Sequence, residues 1–186
     1  ATRRPEYAET ARGIFEYVLR DLSDPVGGFY SAEDADSEGE EGTFYVWTPE
    51  EILKVLGPKD GELFNRFYGV TPEGNFSAEG GSASGGEHPR SILHIEQPLE
   101  EFARLKGLKA EQVSQRLADG RAALLAARWQ RVRPHRDDKV LTSWNGLMIA
   151  ALASGAATLD EPRYLQAARR AADFVLMALT RDGRLL

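Results

Sequence analysis

Residues 7–22 read YAETARGIFEYVLRDL, and residues 164–179 read YLQAARRAADFVLMAL, so that the two stretches align without a gap. The residues that match are Tyr7, Ala11, Arg12, Val18, Leu19 and Leu22 in the first stretch and Tyr164, Ala168, Arg169, Val175, Leu176 and Leu179 in the second. Apolar side chains recur at intervals of three and four residues, which is the spacing of one buried helix face. A turn containing Asp and Gly and then apolar residues follow each stretch. The repeat predicts a helical-hairpin unit that is used more than once, with chance similarity between amphipathic helices as the alternative.

The rest of the sequence predicts more helices and two short strands. Thr48 as N-cap, Pro49 in the first helical position and Glu51 in a capping box predict a helix that ends at Gly57-Pro58. Further helices are predicted over residues 61–68, 99–105, 110–131, 141–159 and 161–179, and strands over residues 43–47 and 91–95. The helix over residues 141–159 is rich in Ala and Gly on all sides, and we expect it to lie in the interior.

This pattern predicts a mainly α fold with a few short β-strands, in which residues 1–186 form part of one helical domain. Residues 77–90 are rich in Gly and Ser, so we expect a flexible loop there. The chain lacks an initiator Met and stops just after an Asp-Gly turn, and we expect it to be part of a longer protein.

Composition excludes several classes of partner. The net charge of −6 does not suit binding to nucleic acids or anionic membranes, because both require a basic surface. No apolar run approaches the roughly 20 residues that cross a bilayer. With no cysteine, the chain offers neither a disulfide nor a thiolate metal site. We therefore predict a cytoplasmic protein with no nucleic-acid or membrane partner.

A first candidate site lies within residues 27–42, where six carboxylates occur within nine residues. Closely spaced carboxylates repel one another, which suits either acid–base catalysis or cation binding, and makes Asp34 and Asp36 candidates. The spacing resembles the start of an EF-hand loop, but Tyr45 occupies the twelfth position, where a bidentate Glu is required. Another kind of calcium loop and a solvated acidic hairpin remain as alternatives, and we predict no dedicated metal site.

A second candidate site lies within residues 131–146, directly before the apolar helix. Asp137 and Asp138 precede Trp144 and Asn145, and His135 lies beside them. Carboxylates next to an indole are common where sugars bind, because a sugar ring stacks on Trp while the carboxylates accept from its hydroxyls. The alternative is structural, with Asp137 or Asp138 capping the helix or interacting with its positive N-terminus. No phosphate-binding loop or metal-ligand spacing is present, and no cofactor is predicted.

The same two stretches carry a family resemblance. Residues 28–39, GFYSAEDADSEG, and residues 137–148, DDKVLTSWNGLM, resemble two signatures of the thioredoxin-domain-containing family that includes spermatogenesis-associated protein 20. Residues 44–48, 67–70 and 74–76 fit the same pattern, whereas residues 77–90 are longer and richer in Gly and Ser than the pattern. The resemblance implies a fragment of an α/α toroid of the six-hairpin glycosidase type, with a thioredoxin-like domain elsewhere in the parent chain as a partner.

Three classes of function follow. An enzyme would act on a carbohydrate with paired carboxylates, and the candidates are Asp34, Asp36, Asp137 and Asp138. A sugar epimerase would require histidine pairs, for which only His135 is suitably placed. The other two classes are a binding module without turnover and a structural domain that supports the thioredoxin-like part. The predicted substrate-binding residues are Tyr30, Trp47, Trp144, Asn145 and His135.

Overall fold

The computed structural model describes residues 4–76 and 89–186, and these ranges are mainly helical. Six helices occur in the described chain: α1 (Pro5–Asp21), α2 (Pro49–Phe67), α3 (Leu99–Leu105), α4 (Ala110–Arg128), α5 (Thr142–Leu159) and α6 (Pro162–Ala178). The strands are β1 (Ala32–Glu33), β2 (Asp36–Ser37), β3 (Glu40–Glu41), β4 (Arg136–Asp137), β5 (Thr180–Arg181) and β6 (Arg184–Leu185). They form three antiparallel pairs, β1 with β4, β2 with β3 and β5 with β6. The prediction of a mainly α fold with a few short strands is confirmed, whereas a toroid remains a prediction.

The described chain divides into two compact units, and the first comprises residues 4–34 and 136–186. Its core is formed by α1, α5 and α6, which all contribute fully or largely buried side chains. The rings of Phe15 and Tyr164 lie 4.7 Å apart between their centroids, and Leu152 is fully buried beside them. Gly155 lets α5 approach α1, because a methyl group there would overlap the Phe15 ring.

The second unit comprises residues 35–135 and contains α2, α3 and α4 around a core that includes Phe64, Phe102 and Leu117. The predicted capping box at the start of α2 is confirmed, since the Thr48 hydroxyl and the Glu51 carboxylate each accept from the other residue's backbone N–H. The backbone of α2 leaves helical geometry at Gly57, with φ 76° and ψ 168°. The two helices predicted over residues 48–57 and 61–68 are therefore the two arms of one kinked element.

The two predicted strands are wrong. Residues 43–45 form a turn in which the N–H groups of Tyr45 and Val46 both donate to the carbonyl of Gly42, whose φ is 75°. The segment over residues 91–95 retains a single antiparallel bridge, between Ser91 and Trp47. The turn at Gly42 overrides the local β-propensity of this segment, because the left-handed backbone there reverses the chain direction. Of the flexible loop predicted over residues 77–90, residues 77–88 lie outside the described part of the chain.

The interior location predicted for α5 is also wrong for one face of that helix. Leu152 and Gly155 are buried against α1 and α6, but Trp144 is 55% exposed and Leu147 is 72% exposed. Because α5 is apolar on all sides, the sequence does not distinguish the packed face from the open one. Within the described ranges, no helix combines the length and apolar character that crossing a membrane requires.

The predicted repeat has a structural counterpart inside the first unit. Helices α1 and α6 both contain 17 residues, both have Pro in the first turn, and both end with a cap N–H bonded to the fourth residue before it. After α1, the hydroxyl of Ser23 donates to Val18 and the Tyr30 N–H donates to the Leu22 carbonyl. After α6, Thr180 bonds Val175 and Leu186 bonds Leu179 in the same way. The repeated unit is thus a helix followed by a β-hairpin, which is one residue shorter after α6.

Candidate functional site

The residues predicted for the site are divided between the two units. Tyr30, Asp34, Asp137, Asp138, Trp144 and Asn145 belong to the first unit, and Asp36, Trp47 and His135 belong to the second. Residues from both candidate stretches therefore meet in the first unit, where the segment after α1 pairs with the segment before α5 through β1 and β4.

Asn145 fixes the first segment to α5. Its side-chain Oδ1 accepts from the Phe29 N–H at 2.8 Å, and its Nδ2 donates to the Phe29 carbonyl at 3.0 Å and the Leu141 carbonyl at 3.0 Å. Both amide N–H donors are occupied, and the residue is 1% exposed. The predicted role of Asn145 in contacting a substrate is therefore wrong for this structure. Its amide instead bonds the N–H and carbonyl of Phe29, as the backbone of a neighbouring strand would.

Asp137 is held within the β1–β4 pair. The Ser31 N–H and hydroxyl both donate to the Asp137 carbonyl, at 3.3 and 3.2 Å. The Lys139 Nζ lies 3.0 Å from one carboxylate oxygen, and the Lys139 N–H donates to the other at 3.3 Å. Hydrogen bonding by the Lys139 side chain is the main reason why the pKa of Asp137 is lowered. A carboxyl group with a lowered pKa stays ionised, so Asp137 does not suit the role of general acid.

Tyr30 has two polar neighbours that sequence reasoning did not assign to the site. Its hydroxyl donates to the Asp24 carboxylate at 2.7 Å, and the Arg136 guanidinium carbon lies 4.2 Å above its ring centroid. The hydrogen bond to Asp24 raises the pKa of Tyr30, and the charge of Asp138 adds a smaller contribution. Asp24 lies outside both stretches predicted for the site, because nothing in its spacing links it to Tyr30.

Asp138 and Trp144 are the accessible members of the second stretch. Within the described chain Asp138 forms no hydrogen bond or ion pair, and its side chain is exposed. The N-cap of α5 is Leu141, without a side-chain cap. Capping by Asp137 or Asp138, the structural alternative, is therefore not what the structure contains. What remains is an exposed carboxylate six residues before a half-exposed indole.

In the second unit, Trp47 lies in the core. It is 2% exposed, and the Arg131 guanidinium carbon lies 3.9 Å from its ring centroid. Arg131 also donates to the carbonyls of Thr43, Phe44 and Val46 and lies 3.2 Å from the Glu51 carboxylate. The predicted stacking surface at Trp47 is therefore wrong for this structure, because the ring is buried in the core and the Arg131 guanidinium lies over it.

The acidic stretch forms the solvated hairpin that the sequence left as an alternative. Asp36 in β2 lies opposite Glu41 in β3, and the turn passes through Glu38 and Gly39, both with positive φ. Asp34, Asp36 and His135 are exposed. Across residues 4–76 and 89–186, no three acidic or histidine side chains are grouped closely enough to hold a metal ion. The calcium-loop alternative therefore gains no support.

The first unit contains a cavity of about 220 Å³, which is lined by none of the predicted site residues. Its lining includes Asp24, Phe29 and Arg170. Asp24 connects it to Tyr30 through the hydrogen bond described above. A ligand on Asp138 and Trp144 would therefore lie on an open surface rather than in this cavity.

Replacing Lys139 by Gln should raise the pKa of Asp137 toward the ordinary range of an aspartate. A carboxyl group with a lowered pKa stabilises the fold above its unfolded pKa and loses that contribution as pH falls through its folded pKa. Without the ammonium group, the contribution should be smaller, and its loss should be complete at a higher pH. The measurement is an NMR titration of the Asp137 carboxyl carbon.

The matched control is Lys106→Gln, an exposed lysine of the second unit, which should leave the Asp137 titration unchanged. An Asp137 midpoint that is the same in the Lys139→Gln and unmodified proteins would contradict the assignment of the shift to Lys139.

Comparison with known proteins relates the chain to longer proteins. No protein-family model matches it. Spermatogenesis-associated protein 20 of Homo sapiens is 39% identical over 184 residues, which cover 91% of this chain and 23% of the human protein. The Mus musculus protein of the same name is 37% identical over the same shares, and uncharacterized protein B0495.5 of Caenorhabditis elegans is 32% identical over 92% of this chain and 25% of its own length. The chain thus spans about a quarter of the length of these relatives.

Proposed function

Over the segment that it shares with these relatives, this chain belongs to the family that includes spermatogenesis-associated protein 20, and on that premise we propose that it binds a carbohydrate on the surface formed by Asp138 and Trp144. The observation that carries the proposal is that an exposed carboxylate, which does not cap α5, and a half-exposed indole lie within one stretch of the first unit. Exposed groups without a packing function are candidates for ligand contact. In a sugar complex the indole would stack on the ring, and the carboxylate would accept from hydroxyl groups.

Asn145 supports this surface without contacting the ligand. Its amide holds Phe29, and Phe29 is followed by Tyr30 and by the β1 strand that pairs with β4. The backbone leading into Asp138 is fixed on one side by this pairing and on the other by α5. A fixed backbone reduces the entropy that the protein loses when it orders a binding surface.

Catalysis by paired carboxylates is a narrower proposal on the same surface. A glycosidase requires one carboxyl group that donates a proton and a second that acts as base or nucleophile. Asp137 is bound by Lys139, which leaves it ionised, and Asp138 is the partner that remains accessible. Turnover would therefore use Asp138 as the general acid, with Asp137 as the ionised partner. Product analysis with any oligosaccharide that binds is the test, and Asp138→Asn should abolish release of product while some binding remains.

A thermal-shift screen against monosaccharides and oligosaccharides, with and without calcium, tests binding. A ligand that binds the native state stabilises it by mass action and so raises the melting temperature. The added stability is about 2.7 kcal/mol at a ligand concentration of 100 times Kd. We expect a positive shift for at least one sugar, with most of that shift lost in Asp138→Asn.

Asp173→Asn is the matched control, since Asp173 is an exposed aspartate of the same unit and forms no ion pair with the residues that the structure describes. It removes the same charge and should retain the shift. A shift that is lost equally in both variants would show that net charge, not Asp138, is responsible.

A structural role in support of a thioredoxin-like domain of the same parent chain is the second candidate. The observation in its favour is that Trp47 and Asn145, two residues of the family signatures, are buried and serve the fold. A flat response across the sugar panel from folded protein would favour this role. In that case Trp144→Ala should leave the melting temperature within about 1 °C, because the side chain is exposed.

A further inference from the structure

The two copies of the repeated unit differ in exposure, although their backbones correspond. Tyr164 and Ala171 on α6 are fully buried, whereas their counterparts on α1, Tyr7 and Ile14, are 53% and 52% exposed. In the hairpins the difference is reversed, because Phe29 is 6% exposed and its counterpart Leu185 is 60% exposed. Each copy is thus covered on the side where it meets the other copy and open on the opposite side.

The covered junction combines apolar contact with two ion pairs. The Phe15 ring of α1 packs on Tyr164 of α6. Arg12 of α1 pairs with Glu161 at 2.5 Å, and Glu16 of α1 pairs with Arg163 at 2.5 Å. The residues that α1 contributes are thus a basic one and an acidic one, four positions apart. The residues that the start of α6 contributes are acidic and then basic, two positions apart.

Helix α6 presents the same pair of charges as α1 on its open side. Arg169 and Asp173 occupy the positions that Arg12 and Glu16 have in α1. Both are exposed, and neither forms an ion pair within the described chain. Leu176 and Met177 are also exposed there, by 65% and 84%. The open side of α6 therefore repeats the charges of the surface on which α6 itself is docked.

The start of α1 carries the opposite charges to the start of α6. Arg4 and Glu6 stand where α6 has Glu161 and Arg163, on either side of a Pro in each helix. If a second copy docked its α1 on this α6 in the same register, Arg4 would meet Arg169 and Glu6 would meet Asp173. Both encounters join like charges, so a second copy is not the partner.

The geometry points to a different occupant: the open side of α6 and the β5–β6 hairpin bind a helical hairpin that is not a copy of this chain. Its helix begins with an acidic residue and carries a basic residue two positions later, as Glu161 and Arg163 do in α6. The acidic residue pairs with Arg169 and the basic residue pairs with Asp173. The relatives carry about three quarters of their length outside the matched segment, which is enough to supply such a hairpin.

The backbone of the β5–β6 hairpin indicates a second feature of the partner. Leu185 lies opposite Thr180 in the arrangement that Phe29 has opposite Ser23, with the following N–H bonded across each pair. In that arrangement the N–H and carbonyl of Leu185 point away from the neighbouring strand. Asn145 bonds these groups at Phe29. A partner that buries this hairpin must therefore provide an amide side chain, or an equivalent donor and acceptor, to Leu185.

The test exchanges charges so that the chain becomes its own partner. Arg169→Glu with Asp173→Arg, or instead Arg4→Glu with Glu6→Arg, converts both like-charge encounters into attractive ones. Sedimentation equilibrium at low ionic strength should give the unmodified 20.6 kDa chain as a monomer. Each double variant should show a mass that rises by about twofold or more with concentration, since a head-to-tail contact does not close on itself. High ionic strength should reverse the association.

The quadruple variant restores like charges at both encounters and should be monomeric again. Helicity and melting temperature of every variant are measured first, because all four side chains are exposed and the fold should be retained. The proposal is overturned if the double variants remain monomeric, if the unmodified chain associates as strongly as they do, or if the quadruple variant also associates.

Discussion

Asn145→Ala should lower the free energy of unfolding by about 2 to 4 kcal/mol. The substitution removes the only side-chain partner that the described structure gives to the Phe29 N–H and carbonyl, and both groups are buried. An unpaired buried donor or acceptor costs about 1 to 3 kcal/mol, which exceeds the net value of a hydrogen bond that water can replace. Urea denaturation monitored by circular dichroism measures the change.

Asn75→Ala provides the matched control, because Asn75 bonds Ile92 in the same way. Its Oδ1 accepts from the Ile92 N–H at 2.7 Å and its Nδ2 donates to the Ile92 carbonyl at 3.0 Å. Asn75 and Ile92 are exposed, so water replaces the amide and the expected cost is below about 1 kcal/mol. If both substitutions cost the same, burial is not what makes Asn145 important.

Gly155→Ala should destabilise the protein by about 1 to 3 kcal/mol, although alanine is the better helix former. A methyl group at this position would overlap the Phe15 ring, and that ring is packed against Tyr164. The ring cannot move without disturbing the junction between α1 and α6, so α5 would have to shift. Thermal and urea unfolding should both report the loss.

Gly146→Ala is the control in the same helix. A methyl group there meets no atom within 4 Å, so only helix propensity changes. We expect a gain in stability of up to about 1 kcal/mol, opposite in sign to the effect at Gly155. A loss at both positions would indicate that α5 requires glycine for reasons other than its approach to Phe15.

The elements that sequence predicted well are those determined by local physical chemistry. The capping box at Thr48, the break at Gly57 and the helix periodicity of α1 and α6 depend on residues within one or two turns of one another. The strand predicted over residues 43–47 was wrong because Gly42 and the distant Arg131 fix a turn there. That interaction depends on Arg131, which follows α4 and lies 88 residues after Thr43 in the chain.

For the candidate site, the sequence was a better guide to which segments come together than to what each side chain contacts. The segments around Tyr30 and Asp137 do meet, through β1 and β4. Trp47 and Asn145 were assigned to a ligand because aromatic and amide side chains serve both surfaces and cores. Their neighbours decide between these roles, and the neighbours come from the segment after α4 in one case and from the segment after α1 in the other.

By itself, the sequence determined that this protein is mainly helical, and it predicted that the first and sixth helices are copies of one unit and that two polar segments form a candidate site. Spacing and turn residues act over a few positions, and they are visible in the chain. Only the tertiary structure decided that Asn145 holds Phe29, that Lys139 occupies Asp137 while Asp138 is left accessible, and that α6 presents Arg169 and Asp173 as α1 presents Arg12 and Glu16. These properties depend on which atoms come within hydrogen-bonding distance after packing. Separation along the chain does not predict this, since the bonded residues Phe29 and Asn145 are 116 positions apart.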